Sequence, residues 1–168
     1  MFLLLLLAVA FVPMLAEARL AARHDRVLRG RGAQEPPSDV YRVMQVAYPS
    51  CFAAMVAEAW LQGAAVDAMS VGGAVVFAAA KGLKYWAIAA LGERWTFRVL
   101  VPPGSSMVGR GPYRWLRHPN YVAVAGELAG FAVMTQAAVT GVTALIFFVL
   151  LMLARIRVEE RALGVRPE

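Results

Sequence analysis

Between Tyr121 and Ala154 the chain carries a single charge, Glu127. A stretch so long and so apolar is not the half-exposed surface of a soluble domain. It divides into two legs, Tyr121 to Thr135 and Val139 to Ala154, with almost no connector. Each leg is slightly short of the roughly 20 residues that cross a hydrocarbon core. The pair predicts a tight helical hairpin. Three more apolar runs, Met1 to Ala16, Val43 to Leu61 and Val71 to Leu91, point the same way. The chain is 60% hydrophobic and 17% charged, against about half apolar for a soluble domain. The expected fold class is all-α: a polytopic integral membrane protein with about five transmembrane helices and a C-terminal hairpin.

Charge sets the expected topology. Arg19 to Arg42 holds six arginines, Gly92 to Pro119 five, and the tail from Arg155 four. With Lys81 and Lys84 in the inner half of the third span, these account for all 17 basic residues. The positive-inside rule then puts the amino terminus outside and the basic segments in the cytoplasm. The reading is one domain over 1–168, with a first transmembrane helix over 1–18 and a basic cytoplasmic loop, helical at its start, over 19–42. Helices two and three occupy 43–91, and a cofactor-binding catalytic region 92–168. Ala16-Glu17-Ala18 loosely resembles a signal cleavage site. No Lys or Arg precedes the apolar core, as a signal peptide requires, so a retained first span is expected. Pro49 predicts a kink in the second span, and Thr96 to Val101 a short extended piece.

The net charge of +6 and pI near 10.1 follow from arginines flanking spans beside an anionic leaflet. No basic face or nucleic-acid module is visible, so nucleic acid is not an expected partner. Cys51 is the only cysteine. It excludes an intrachain disulfide and a zinc or CxxC site, and no metal is expected. Glu58 and Glu127 lie inside apolar runs, where a carboxylate is costly and invites a functional reading. For Glu58, snorkelling at the outer edge is the ordinary alternative.

The polar block from Gly111 to Tyr121 concentrates the chemistry. Pro119 stands where the fourth helix should begin, since proline suits the first helical position. The N–H groups from Asn120 onward and the helix dipole would form an anion site. His118 and Arg117 add donors, and Tyr121 a hydroxyl. Further on, Arg155 and Glu159 share a helical face, with Glu160 about 100° round. These carboxylates could accept hydrogen bonds from a ribose diol or an ammonium group; the plainer alternative is a solvated charge run. A donor site and an acceptor site at one membrane face match S-adenosylmethionine (SAM). That molecule carries a carboxylate, an ammonium group, ribose hydroxyls and a sulfonium.

Gly111-Pro112-Tyr113-Arg114, Arg117-His118-Pro119 and Tyr121, followed by Arg155 and Glu159-Glu160, resemble the isoprenylcysteine carboxyl methyltransferase (ICMT) family and its phospholipid methyltransferase relatives. The resemblance covers at least Lys84 to Leu163, including Tyr85-Trp86 and Leu91 to Trp95. The chain looks closest to small bacterial members that O-methylate alkylpyrones or alkylresorcinols beside type III polyketide synthases. The resemblance implies a SAM site built from Met107, Val108, Tyr113, His118, Pro119, Asn120, Tyr121 and Glu159. It implies that Arg155 holds the polar group of the lipid substrate. Ser105-Ser106 stands where the eukaryotic pattern has a polar His-type contact, and the long aromatic tail after Glu159-Glu160 is missing. Both departures bear on a prenylcysteine substrate more than on the cofactor.

Together these readings predict an integral protein of the bacterial inner membrane with its active site facing the cytoplasm. It would transfer a methyl group to a carboxylate, phenol or enol oxygen of an amphipathic, lipid-like acceptor. A type III polyketide synthase is among the expected partners. Cofactor-binding candidates are the eight residues above with Arg117 and Glu160. Arg155 is the substrate-binding candidate, and Glu127 the general base for a phenol or enol. Two other readings stay open. Membrane reductases of the sterol type carry a similar Arg-His-Pro-Asn-Tyr block and use NADPH. A non-enzymatic membrane protein would bind neither cofactor.

Overall fold

A computed structural model describes residues 2–36, 39–104 and 108–162. Its elements are α1 (Phe2–Gly30), α2 (Tyr41–Leu61), α3 (Ala68–Leu91), α4 (Pro119–Thr135) and α5 (Ala138–Ala162), with 3-10 turns at Gly92–Arg94 and Gly111–Arg114. No strand forms among the described residues. The expected extended piece reduces to one bridge between Gln34 and Val101.

Three helical segments are long and apolar enough to cross a membrane: α1, α3 with the turn after it, and α5. The 17 residues of α4 reach about 25 Å, short of a full span. α2 carries Arg42, Gln45 and Glu58 along its 21 residues. The all-α membrane class therefore holds, with five α-helices among the described residues, three of which qualify as spans by length and composition.

The first helix differs most from expectation. The sequence suggests a first span over 1–18 and then a loop with a helical start over 19–42, whereas α1 is one continuous helix to Gly30. From Ala16 to Arg29 the sequence is rich in Ala, Leu and Arg and has neither Gly nor Pro. Those are strong helix formers, and arginine density is not a loop signal. Gly30 and Gly32 end the helix, the latter with φ of 78°.

Small residues let α3 and α4 meet backbone to backbone. A Cβ on Gly73 would lie 2.2 Å from the Met134 nitrogen, and one on Gly130 2.5 Å from the Phe77 nitrogen. Neither site has room for a side chain, the close approach expected of small residues in a membrane bundle. The hairpin is as tight as the sequence suggested. Gln136 takes φ of 57°, α5 starts at Ala138, and Gly141 packs against Ala132. Glu58 accepts hydrogen bonds from the Val139 and Thr140 N–H groups at 3.0 and 2.7 Å. It caps α5, where a carboxylate meets the positive end of the helix dipole.

Phe52, Met55, Leu128, Phe131 and Phe148 fill the core, joined by Leu6 and Ala10 of α1. Leu4, Val12, Val46, Val75, Ile146 and Leu150 point outward and are exposed. In water so apolar an exterior would drive association; in a bilayer it is the solvated surface.

Candidate functional site

α4 begins as its sequence requires. Pro119 is the first helical residue and His118 the N-cap. The Tyr121 and Val122 N–H groups both bond the His118 carbonyl. The Val122 bond is the ordinary first bond of the helix, so the expected cradle of free N–H groups loses only Tyr121, where a short turn closes on its own cap. Trp95 Nε1 donates to Asn120 Oδ1 at 3.3 Å, fixing that amide.

The two motifs meet. The Tyr121 hydroxyl donates to Glu159 at 2.9 Å across 38 residues of sequence. The His118 ring lies 3.4 Å from Glu160 Oε1 and 3.8 Å from Glu159 Oε2. Arg155 Nε donates to the Tyr121 hydroxyl at 3.0 Å. Its Nη1 pairs with Asp39 at 3.1 Å, and its Nη2 donates to the Phe97 carbonyl. With the Met44 sulfur 4.0 Å from Nη1, the guanidinium makes four donor contacts among the described residues. The planar fork orients Tyr121 and ties the start of α2 to α5. Asp39 also accepts the N–H groups of Tyr41 and Val99. This linchpin was missed in the sequence, where it is one acidic residue in a loop. Nearby, Glu35 bonds Arg98 and Arg29. Burial pushes the Glu35 carboxyl up, but the bonds from both arginines outweigh it and hold the group below its usual range.

One cavity of about 690 Å³ opens beside this cluster, within the range usual for ligand sites. Val108, Tyr113, Arg117, His118, Asn120, Tyr121, Glu159 and Arg155 all line it. Burial, with Glu159 close by, pushes the Tyr113 phenol up and keeps it protonated. Pro119 and Glu160 are buried behind the wall. Met107, with Ser105 and Ser106, lies outside the described residues. The deeper walls are apolar, formed by Phe11, Met14, Met44, Val124 and Phe148. Leu15 also lines the cavity yet is 57% exposed, so that wall is reachable from the lipid side.

The donor set suits the ligand the sequence suggested. Glu159 offers acceptor oxygens for hydroxyl or ammonium groups, and the Asn120 amide and Tyr113 hydroxyl add neutral polar contacts. Arg117 supplies a cation at the rim for a carboxylate.

Glu127 is elsewhere. It is fully buried, does not line the cavity, and sits in a cluster of four charges. Lys81 lies 2.7 Å from Glu17 and 3.0 Å from Glu127; Lys84 lies 2.8 Å from Glu17 and 3.2 Å from Glu127. The Tyr48 hydroxyl donates to Glu127. Two carboxylates and two ammonium groups balance, which is what makes them tolerable where water is scarce. The sequence held a signal for this cluster: Lys81 and Lys84 three apart on one helix, and Glu17 within an apolar run. In the sequence the lysines mark topology, and Glu17 falls within a stretch that resembles a cleavage site.

Residues 72–165 match the family described as isoprenylcysteine carboxyl methyltransferase (ICMT). The chain is 33% identical over 159 residues to the uncharacterized protein YpbQ of Bacillus subtilis, covering 95% of each chain. It is 25% identical over 146 residues to an uncharacterized protein of Haemophilus influenzae, covering 86% of this chain and 85% of that one. No solved structure gives a significant match. The matched region holds both halves of the cavity mouth, and the chain belongs to the isoprenylcysteine carboxyl methyltransferase family, a family of membrane methyltransferases.

Proposed function

We propose that the protein transfers a methyl group from SAM to an oxygen of an amphipathic, lipid-like acceptor. The observation carrying this reading is the contact of Tyr121 and His118 with Glu159 and Glu160 at the mouth of a cavity with apolar inner walls. Bound SAM would supply an electrophilic methyl on a sulfonium. Glu159, Asn120, Tyr113 and Arg117 would hold its polar ends, while His118 and Tyr121 keep Glu159 in place. Arg155 orients Tyr121 and faces the acceptor's polar head. Positioning and the exclusion of water are the catalytic contributions expected of such a site. The acceptor enters laterally past Leu15 between α1 and α2.

Alkylpyrones and alkylresorcinols are the acceptors proposed first, with a type III polyketide synthase as their source. Placement in a bacterial inner membrane, with the amino terminus outside and the cavity mouth in the cytoplasm, is supported by the basic residues clustered at the mouth end.

Calorimetry in detergent with S-adenosylhomocysteine tests the reading, with NADPH as control. The wild-type chain should bind the former and not the latter. His118→Ala and Glu159→Ala should each weaken binding by about tenfold or more, the scale of a lost charge-assisted hydrogen bond, with helical circular dichroism unchanged. Unaltered affinity in both variants would remove these residues from the cofactor site.

A further inference from the structure

The buried charge cluster meets the cavity at two side chains, Tyr48 and Lys84. Both line it, whereas Glu17, Lys81 and Glu127 lie behind. Tyr48 stands between the cavity and Glu127, its hydroxyl hydrogen-bonded to Glu127 Oε2. Lys84 Nζ lies 5.3 Å from the Tyr48 ring centroid. On α2, Met44 touches Arg155 Nη1 through sulfur at 4.0 Å. Tyr48 is one helical turn further along the same face, about 6 Å away. A phenol at that depth faces an acceptor whose polar head lies near Arg155.

Resting on the methyl-transfer reading above, we infer that Tyr48 is a catalytic residue that removes the acceptor's proton and hands its own to Glu127. The proton of an acceptor O–H passes to Tyr48 Oη as the Tyr48 proton passes to Glu127. The freed oxygen pair forms the new O–CH3 bond as the S–CH3 bond of the methyl donor breaks, its electron pair returning to sulfur. Glu127 later returns the proton through Tyr48 to the cavity, where it leaves with the product. Glu127 acts through Tyr48 and never touches the acceptor.

The charge balance of the cluster is the physical reason this works. At rest, Glu17 and Glu127 offset Lys81 and Lys84. After proton uptake the cluster carries one net positive charge, and it lies beside an acceptor oxygen that has become negative. In a poorly solvated cavity that attraction is strong. An acceptor that is already a carboxylate gains nothing from the relay, because it has no proton to give. A purely structural cluster would need no phenol between its carboxylate and the cavity.

Tyr48→Phe is the variant of choice: it removes one hydroxyl and leaves Glu127 paired with both lysines. One measurement needs no methyl donor. An alkylated 4-nitrophenol bound to the wild-type chain should show nitrophenolate absorbance above that in empty detergent micelles at the same pH, and Tyr48→Phe should lose the increment. The second measurement is turnover. Methylation of 5-pentadecylresorcinol should fall about 100-fold or more in kcat, the usual weight of general base catalysis. KM and S-adenosylhomocysteine affinity should stay within about threefold, a margin of well under 1 kcal/mol. Phenol turnover at the wild-type rate in Tyr48→Phe, or no nitrophenolate signal in the wild-type chain, overturns the relay. A wild-type chain that binds no S-adenosylhomocysteine and methylates no acceptor overturns the methyltransferase reading, and the relay with it.

Discussion

At the cavity mouth, the Glu159 side chain keeps 34% of its surface exposed and its partners His118 and Tyr121 come from one four-residue stretch. Deeper in the bundle, Glu17, Lys81, Lys84 and Glu127 are between 0% and 10% exposed and come from three helices. The mouth leaves polar atoms facing a cavity, whereas the deep cluster satisfies its charges internally. The mouth can lose a group and remain folded, since water replaces what is lost. The deep cluster has no such substitute, so each of its members bears on stability as well as chemistry.

Lys81→Ala should have the largest effect on folding. It leaves Glu17 and Glu127 sharing Lys84 alone, and an uncompensated buried charge costs about 3–5 kcal/mol. Thermal unfolding in detergent should show a large fall in midpoint, while Glu159→Ala at the mouth shifts it little. Adding Glu17→Gln to Lys81→Ala leaves Glu127 and Lys84 as one carboxylate against one ammonium and should recover a good part of the loss. An unchanged midpoint in Lys81→Ala would mean that apolar packing alone holds α1 against α3 and α4.

Arg155→Lys should have the next largest effect. The guanidinium reaches Tyr121, Asp39 and the Phe97 carbonyl at once. A lysine ammonium has no planar fork and cannot reproduce all three contacts. Tyr121 and α2 should lose their registration, lowering kcat about 10- to 100-fold, the scale of a misplacement of about 1 Å. Stability should fall less than in Lys81→Ala, since Asp39 retains two backbone donors. Turnover close to wild type in the lysine variant would reduce Arg155 to a simple counterion.

The two clusters also differed in how far the sequence disclosed them. The mouth was legible because its halves are local: Pro119 after His118 marks a helix start, and Arg155 with Glu159 marks one helical face. Their meeting followed from a hairpin whose connector was visibly short. The deep cluster was not legible, because nothing local says that Glu17 faces Lys81 across 64 residues. Glu17 lies inside the expected first span, and only the packing of that helix beside α3 and α4 names its partners. The small residues of α3 signal close packing, and Gly126 and Gly130, four apart on α4, carry the matching signal; they pack against Ala80 and Phe77. Asp39 was opaque for the same reason: its three partners are Tyr41, Val99 and Arg155, and only one is nearby in sequence.

Glu58 gives the smallest expected effect and the sharpest control. In the sequence it looks like Glu127, a lone carboxylate in an apolar run, yet it sits at a helix end among N–H donors instead of among ammonium groups. Glu58→Gln keeps an acceptor oxygen for the Val139 or Thr140 N–H and removes only the charge that opposes the α5 dipole. Its midpoint should drop by a few degrees at most, and methyl transfer should be unchanged because it lines no part of the cavity. Glu127→Gln removes a charge from a similar run, yet leaves two lysines against one carboxylate and should cost far more stability. Equal losses from the two substitutions would show that helix capping in the bilayer matters as much as charge balance, and the contrast between mouth and core would have to be redrawn on solvent access alone.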